Sequence, residues 1–235
     1  MQKLIEIAGL EHPVTLSRRK GTKNLRISIK NSNKVVLSVP YGIPESAAKL
    51  FVTSKIDWIQ KNIEPARIIS NGAHIGKSHR LVIEPSNANR HSTKVTSTEI
   101  VVRLPADIAA DSPKGQAIIK KACDKALLQQ ATRLLPQRLE FVSKKTGVDY
   151  RTCTVKKLKS RWGACDSRKN ISLNSYLIQL DWDLIDYVIC HELAHTHHAH
   201  HQKEFWDFVA TLCPDYKQLR KQLKTHPTDI NPTNF

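Results

Sequence analysis

The chain has 235 residues, with 37 Lys and Arg against 21 Asp and Glu and a formal net charge of +16. This length can bury a sizeable core in one domain or in two small ones. No stretch reaches the ~18 consecutive apolar residues of a membrane span, and the first residues lack the apolar core of a secretory signal. Five widely spaced cysteines without a Cys-x-x-Cys pair predict reduced thiols and a cytoplasmic location. The charge favours acidic partners, nucleic acid among them, and nothing indicates the oligomeric state.

The first half of the chain is predicted to be rich in strands. Alternating apolar and polar residues predict four strands, near residues 3–8, 13–19, 25–30 and 34–39, with turns at 21–22 and 31–33. Pro44 and Glu45 begin a helix that continues to Ile59, with Leu50 and Trp58 among its predicted core-facing residues. Further strands are predicted between residues 72 and 103, and the polar stretch at 85–98 between them is predicted to be a hairpin loop or an exposed meander.

The second half is predicted to be mainly helical. A connector at residues 107–114 precedes a long helix over 115–146, disturbed at Pro136. We therefore place a domain boundary near residue 110, which gives domains at 1–110 and 111–235. Further elements follow in chain order: a strand at 152–157, a tight turn at 161–166, a strand at 170–174, a helix ending near His195, a helix from about 202 and a loose tail at 226–235.

The segment His191-Glu192-Leu193-Ala194-His195 carries the strongest chemical signal in the chain. Two histidines four residues apart lie on one face of a helix and can bind one metal ion. Glu192 is placed to take the proton of a metal-activated water. The pattern predicts a zinc site that hydrolyses amide bonds, with His191 and His195 as ligands and Glu192 as the general base.

A third ligand is needed, and the histidine-rich run after His195 offers several. His198 lies on the same helical face, but three ligands along one helix axis cannot easily converge on a tetrahedral ion. The third ligand is therefore expected beyond a turn. His201 meets that requirement, and Glu204 is the alternative.

A family resemblance extends from Lys159 to Trp206. It is carried by Ser160-Arg161-Trp162-Gly163-Ala164-Cys165, by the motif helix with Tyr187-Val188 before it, and by His201 with Phe205-Trp206. These segments resemble the YgjP-like metallopeptidases, which are related to the SprT-like zinc proteases. A weaker similarity covers the first strands, with Arg18, Arg19 and Pro40. Ala164 and His200 stand where the family usually has Ser and Asn.

The resemblance implies an α+β fold, with a small N-terminal β-rich subdomain before a zincin-like metallopeptidase domain. It implies His191, His195 and His201 as ligands of Zn²⁺, Glu192 as the catalytic residue, and a protein or peptide as substrate. Arg161 and Tyr187 are candidates for stabilising the oxyanion. Two alternatives stay open: a nucleic-acid-associated SprT-like protease, and a non-enzymatic binding module that zinc stabilises.

Overall fold

The computed structural model describes residues 2–10, 13–18, 20–30, 34–63 and 68–230. The fold is mixed α+β, with three small sheets and six α-helices in these residues. The chain forms two compact units, at residues 1–67 and 68–235.

The N-terminal unit contains a four-stranded sheet and two helices. Its strands are β1 (Gln2–Ile5), β2 (Val14–Arg18), β3 (Arg26–Lys30) and β4 (Lys34–Val39), in the order β1-β2-β4-β3. Only the β2–β4 pair among them is parallel. Arg18 donates hydrogen bonds to the carbonyls of Pro40 and Tyr41, at 3.2 and 2.9 Å. Arg19, the turn predicted at 31–33 and residues 231–235 lie outside the described residues.

The single helix predicted after Pro44 is two helices, α1 (Glu45–Thr53) and α2 (Ile56–Asn62). The break at Ser54 and Lys55 changes the helical phase, so the buried positions are Ala48, Val52 and Ile59. The prediction that Leu50 and Trp58 face the core was wrong: Leu50 is 71% exposed and Trp58 is 46% exposed.

The C-terminal unit begins with a second four-stranded sheet. The strands are β5 (His74–Ile75), β6 (His79–Ser86), β7 (Ser92–Val95) and β8 (Glu99–Pro105), in the order β5-β6-β8-β7. Strand β7 lies inside the polar stretch at 85–98 and pairs with β8 at an exposed edge, as in the second of the two alternatives predicted for this stretch. This sheet packs on the next helix, α3, and therefore belongs to the C-terminal unit. The division between units accordingly lies before β5, whereas the sequence placed it near residue 110.

Helix α3 (Pro113–Thr146) is the central element of the C-terminal unit. The Ser112 side chain accepts a hydrogen bond from the Gly115 amide at 3.1 Å, and Gly147 ends the helix in a left-handed conformation. The helix continues through Pro136. Burial of apolar side chains such as Leu135 and Leu139 on both sides offsets the ~3 kcal/mol that an internal proline costs.

The remaining elements form the region that contains the histidine motif. A three-stranded sheet, in the order β10-β11-β9, consists of β9 (Thr152–Lys156), β10 (Gly163–Cys165) and β11 (Asn170–Asn174). After a short 3-10 helix (Ser175–Gln179) come α4 (Trp182–Ala194), α5 (Lys203–Leu212) and α6 (Tyr216–Leu223). Helix α4 packs against α3, α5, α6 and β10. The predicted last helix is thus two helices, interrupted at Pro214.

The described part of the C-terminal tail is held in place, whereas the sequence predicted it to be loose. Lys120 pairs with Asp229, the Gln179 side chain donates to the Asp229 carbonyl at 3.1 Å, and Ile230 is buried. These contacts tie the tail to α3. None of the helices in the described ranges is both long and apolar enough to cross a membrane.

Candidate functional site

Helix α4 carries the first two histidines of the motif. The apolar residues of α4 between Leu184 and Leu193 are buried in the core. Arg138 of α3 donates two hydrogen bonds of 2.6 Å to the carboxylate of Asp186. A paired guanidinium and carboxylate hold a fixed geometry, so α4 is anchored one turn before His191. The helix ends at Ala194, and His195 is its C-terminal cap.

The chain then turns back over the end of α4. The amides of Thr196, His197 and His198 donate to carbonyls of the last helical turn, which closes a tight bend before α5 begins at Lys203. His201 lies between the two helices and approaches His191 and His195 from outside α4. The turn therefore brings a third imidazole to the two on the helix.

The three imidazoles converge on one point. One nitrogen from each of His191, His195 and His201 lies within 4.8 Å of the other two. The Nε2 atoms of His191 and His201 are 3.2 Å apart. Two lone pairs repel at this distance unless a proton or a cation lies between them. Zinc–nitrogen bonds of about 2.0–2.1 Å at a tetrahedral angle separate two ligand nitrogens by about 3.4 Å. The arrangement fits such an ion.

The other members of the histidine run face elsewhere. The rings of His197 and His198 pack on Phe208, with centroids 5.2 and 5.5 Å away. Glu204, the alternative third ligand, is exposed and does not join the group of ligand atoms that the described residues form.

The charge states of the imidazoles suit a cation. Burial lowers the pKa of His191 to about 3, with smaller contributions from His195, His201 and Arg220. Burial also lowers the pKa of His195, although its hydrogen bond to the His198 carbonyl opposes this shift. Both rings are therefore neutral near pH 7 and can offer lone pairs. The His195 Nδ1 to His198 carbonyl distance is 3.0 Å, which places the proton on Nδ1 and leaves Nε2 free.

His191 lacks the support that His195 has. Its Nδ1 atom is buried and finds no hydrogen-bond partner among the described residues. Of the carboxylates near the motif, Asp186 binds Arg138 and Asp207 binds Lys203, and neither contacts a histidine. Packing rather than hydrogen bonding fixes the His191 ring.

Phe205 of α5 provides that packing for all three rings. Its ring centroid lies 5.0, 4.5 and 4.7 Å from those of His191, His195 and His201, and its side chain is fully buried. From the sequence, Phe205 was part of a segment that carries the family resemblance, without a role of its own. The contact with three histidines depends on the turn before α5, and no sequence pattern reveals it.

Glu192 lies beside the histidines and against strand β10. It is 5% exposed, and burial raises its pKa to about 8 while the charge of Arg161 opposes this shift. Among the described residues it accepts no hydrogen bond. A buried carboxylate without such bonds is costly for folding.

A cleft of about 560 Å³ opens over these groups. Its walls are β10 and the turn before it, the face of α4 that carries the motif, and Leu223 of α6. Arg161 and Tyr187, the two side chains suggested by sequence for the oxyanion, both line it. Trp162 and Trp206 are half-buried, and Trp162 also lines the cleft.

A family model described as the YgjP-like metallopeptidase domain matches residues 23–226. The chain belongs to the YgjP-like metallopeptidase family. The match spans both units of the structure and includes the three histidines, Glu192 and the cleft. It confirms the resemblance that the motif indicated.

The other comparisons give weaker similarities. A comparison with curated proteins produced no significant match. Among solved structures, the metallopeptidase zymogen of Pyrococcus abyssi abylysin matches with 21% identity and a TM-score of 0.36, covering 39% of this chain and 93% of that chain. The metallopeptidase zymogen of Methanocaldococcus jannaschii jannalysin matches with 19% identity and a TM-score of 0.33, covering 39% of this chain and 97% of that chain.

Proposed function

We propose that this YgjP-like protein is a zinc-dependent peptidase, in which His191, His195 and His201 bind one zinc ion and Glu192 is the general base. The observation that carries the proposal is the convergence of three imidazoles beside the buried side chain of Glu192, at the floor of an open cleft. Nitrogen ligands in this number leave a fourth position of a tetrahedral zinc ion for chemistry.

Zinc at this position supplies a Lewis acid, which polarises the scissile carbonyl and makes water a better nucleophile. The protein holds the three imidazoles in place. The His198 carbonyl holds His195 in one tautomer, Phe205 packs on all three rings, and the turn before α5 brings His201 to the other two.

Glu192 would move the proton. It directly follows the proposed ligand His191 on α4, and the absence of a side chain at Gly163 leaves room for it. The carboxylate takes a proton from the attacking water and delivers it to the nitrogen of the leaving amine. Burial raises the pKa of Glu192 to about 8, and a cation held by the neighbouring histidines would favour the ionised form that accepts a proton. Because Glu192 forms no hydrogen bond with the described residues, its oxygens remain available for this transfer.

Arg161 would stabilise the negative charge that develops on the carbonyl oxygen. It is a cationic side chain of the cleft, and its charge already influences Glu192. A cation aimed at the developing charge lowers the barrier to acyl transfer. Tyr187 lines the same cleft, and burial raises its pKa to about 12, so its hydroxyl keeps the proton that a donor needs.

The proposal is tested by cleavage of a denatured protein such as casein by the purified, untagged chain. Activity should disappear with a chelator, return with added zinc, and fall by about 10²–10⁴-fold in Glu192→Gln. Glu204→Gln, an equivalent change on the exposed face of α5, should retain activity. Full zinc loading without cleavage of any peptide would instead support a binding module that zinc stabilises.

A further inference from the structure

A second cleft, of about 500 Å³, lies between α5 and α6 and has a strongly basic lining. Four of its residues form what we call the cationic stripe: Lys217, Arg220, Lys221 and Lys224. The remaining lining residues are Lys203, Trp206, Asp207 and Tyr216. The one carboxylate, Asp207, already pairs with Lys203 at 2.6 Å. The cleft therefore presents an excess of positive charge.

Helix stability accounts for only part of the cationic stripe: Arg220 and Lys221 lie in the last turn of α6, where the helix dipole favours a cation. The members of the stripe form pairs three residues apart (Lys217–Arg220 and Lys221–Lys224) and four residues apart (Lys217–Lys221 and Arg220–Lys224), so neighbouring positions on the helix surface carry like charges that repel one another. Lys217 lies in the first turn of α6, where the helix dipole disfavours a cation. Within the described ranges, no carboxylate lies within salt-bridge distance of the stripe. An anionic ligand would relieve this repulsion.

Aromatic packing holds part of the stripe in place. The Arg220 guanidinium lies over the Trp206 ring, 4.2 Å from its centroid, and Trp206 stacks on Tyr216 at 5.7 Å with 16° between the rings. A guanidinium that is already fixed loses little freedom when it binds a carboxylate through two parallel hydrogen bonds.

The basic cleft adjoins the candidate active site. Trp206, one of its walls, stacks on His201 with centroids 5.6 Å apart and 24° between the rings. Leu223, on the same helix as the stripe, lines the cleft above the motif. A peptide that enters the active-site cleft therefore passes close to α6, and an extended chain advances about 3.3 Å per residue.

We propose that the cationic stripe is a specificity subsite, which binds acidic side chains of the peptide substrate a few residues from the scissile bond. This inference rests on the proposed peptidase function. It adds a preference for Asp and Glu near the cleavage site, which nothing in the histidine motif implies.

The aromatic groups of this cleft favour a peptide over a nucleic acid as the ligand. Proteins that bind single strands stack bases on exposed aromatic faces. Trp206 packs against His201, Tyr216 and Arg220, so its ring faces are occupied. The charges remain available to carboxylates, whereas Trp206 presents no free ring face on which a base could stack.

Binding is measured by fluorescence anisotropy with a fluorescein-labelled hexaglutamate peptide, on zinc-loaded protein carrying Glu192→Gln to prevent cleavage. The test variant adds Lys217→Gln and Lys221→Gln. The matched control adds Lys121→Gln and Lys125→Gln, two exposed lysines of α3 with the same spacing and the same change of charge. Hexaglutamine and a twelve-residue oligothymidylate serve as the comparison probes.

We expect the Kd for hexaglutamate to rise roughly five- to tenfold in the stripe variant and to stay within about twofold in the control, as for two exposed ion pairs. Binding should also weaken as salt is raised. Equal effects of the two variants, or equal affinity for hexaglutamine, would overturn the proposal. The proposal would also be overturned if oligothymidylate bound through the stripe and hexaglutamate did not bind. The ligand of the stripe would then be a phosphate group.

A second measurement separates this inference from the proposed function. A peptide library is digested with wild type and with Lys217→Gln/Lys221→Gln, and the cleavage sites are identified by mass spectrometry. We expect acidic residues to be enriched near the sites cut by wild type and not near those cut by the variant. Cleavage without any acidic preference would refute the subsite alone, whereas no cleavage by wild type would refute the peptidase function.

Discussion

Gly163 of β10 lies directly against the side chain of Glu192. A Cβ atom at residue 163 would be 2.6 Å from both Cγ and Oε1 of Glu192, which is closer than such atoms approach. The strand and the motif helix therefore meet at a glycine because the proposed catalytic carboxylate occupies the space of a side chain. Glu192 is held between β10 and the three histidines.

Replacing Gly163 with alanine should displace Glu192 and leave the three histidines in place. A displacement of about 1 Å in a catalytic group can cost on the order of 10²-fold in rate. We expect kcat to fall by about that factor while the zinc content stays near that of wild type. Gly42→Ala is the control, since a Cβ there meets no atom within 4 Å. Unchanged activity in Gly163→Ala would show that the position of Glu192 does not matter.

Replacing Glu192 with glutamine keeps the shape of the side chain and removes its ability to accept a proton. General acid–base catalysis contributes typically 10²–10⁴-fold, so we expect a loss of about this size at full zinc occupancy. Peptide hydrolysis and metal content are measured on the same preparation. A variant that loses its zinc together with its activity would instead indicate that Glu192 supports the metal site.

Replacing Phe205 with alanine should weaken zinc binding as well as the fold. The ring contacts all three imidazoles, and loss of such support around metal ligands typically lowers affinity about 10- to 100-fold. The cavity would also cost about 3–5 kcal/mol of stability.

The two effects of Phe205→Ala can be separated. Leu135→Ala, in the core of α3, should be destabilising without touching the histidines. Zinc affinity is measured by competition with a chelator, and stability is measured as the midpoint of urea unfolding. Both variants should have a lower midpoint, whereas only Phe205→Ala should have a lower zinc affinity. Similar zinc affinities in variants of equal stability would exclude the positioning role of Phe205.

Gln130 of α3 holds the turn between β5 and β6. Its side chain accepts a hydrogen bond from the Lys77 amide at 2.7 Å and donates to the Ile75 carbonyl at 2.9 Å. Gln130→Leu leaves both backbone groups without these partners, and we expect it to lower the free energy of unfolding by about 2–4 kcal/mol. Gln129→Leu, exposed on the same helix, should change it by less than about 0.5 kcal/mol. Equal effects in urea unfolding would contradict this role.

The sequence predicted the local features of the candidate site better than its long-range contacts. The i, i+4 spacing of His191 and His195 places both imidazoles on one face of α4, and the structure has them together. The need for a ligand beyond a turn directed attention to His201, which lies in the turn before α5. These conclusions depend only on helix geometry and on the preference of zinc for converging ligands.

Contacts between distant segments could not be read from the sequence. Phe205 has the pattern of any core residue, and only the turn between α4 and α5 brings it against three histidines. Gln129 and Gln130 are adjacent and chemically identical in the sequence. Only the packing of β5 on α3 shows that Gln130 is the buried one. The residues of the cationic stripe are near one another in the sequence, but the cleft that they form with Trp206 depends on how α6 folds back on α5.

The most direct test of the account is the zinc content of the untagged protein, measured by inductively coupled plasma mass spectrometry on wild type, His201→Ala and the neighbouring control His200→Ala. We predict about one zinc per chain in wild type and in the control, and little or none in His201→Ala, because two imidazoles hold zinc less tightly than three. Undiminished zinc in His201→Ala would exclude His201 as a ligand. Absence of metal from wild-type protein prepared with zinc would contradict the account as a whole.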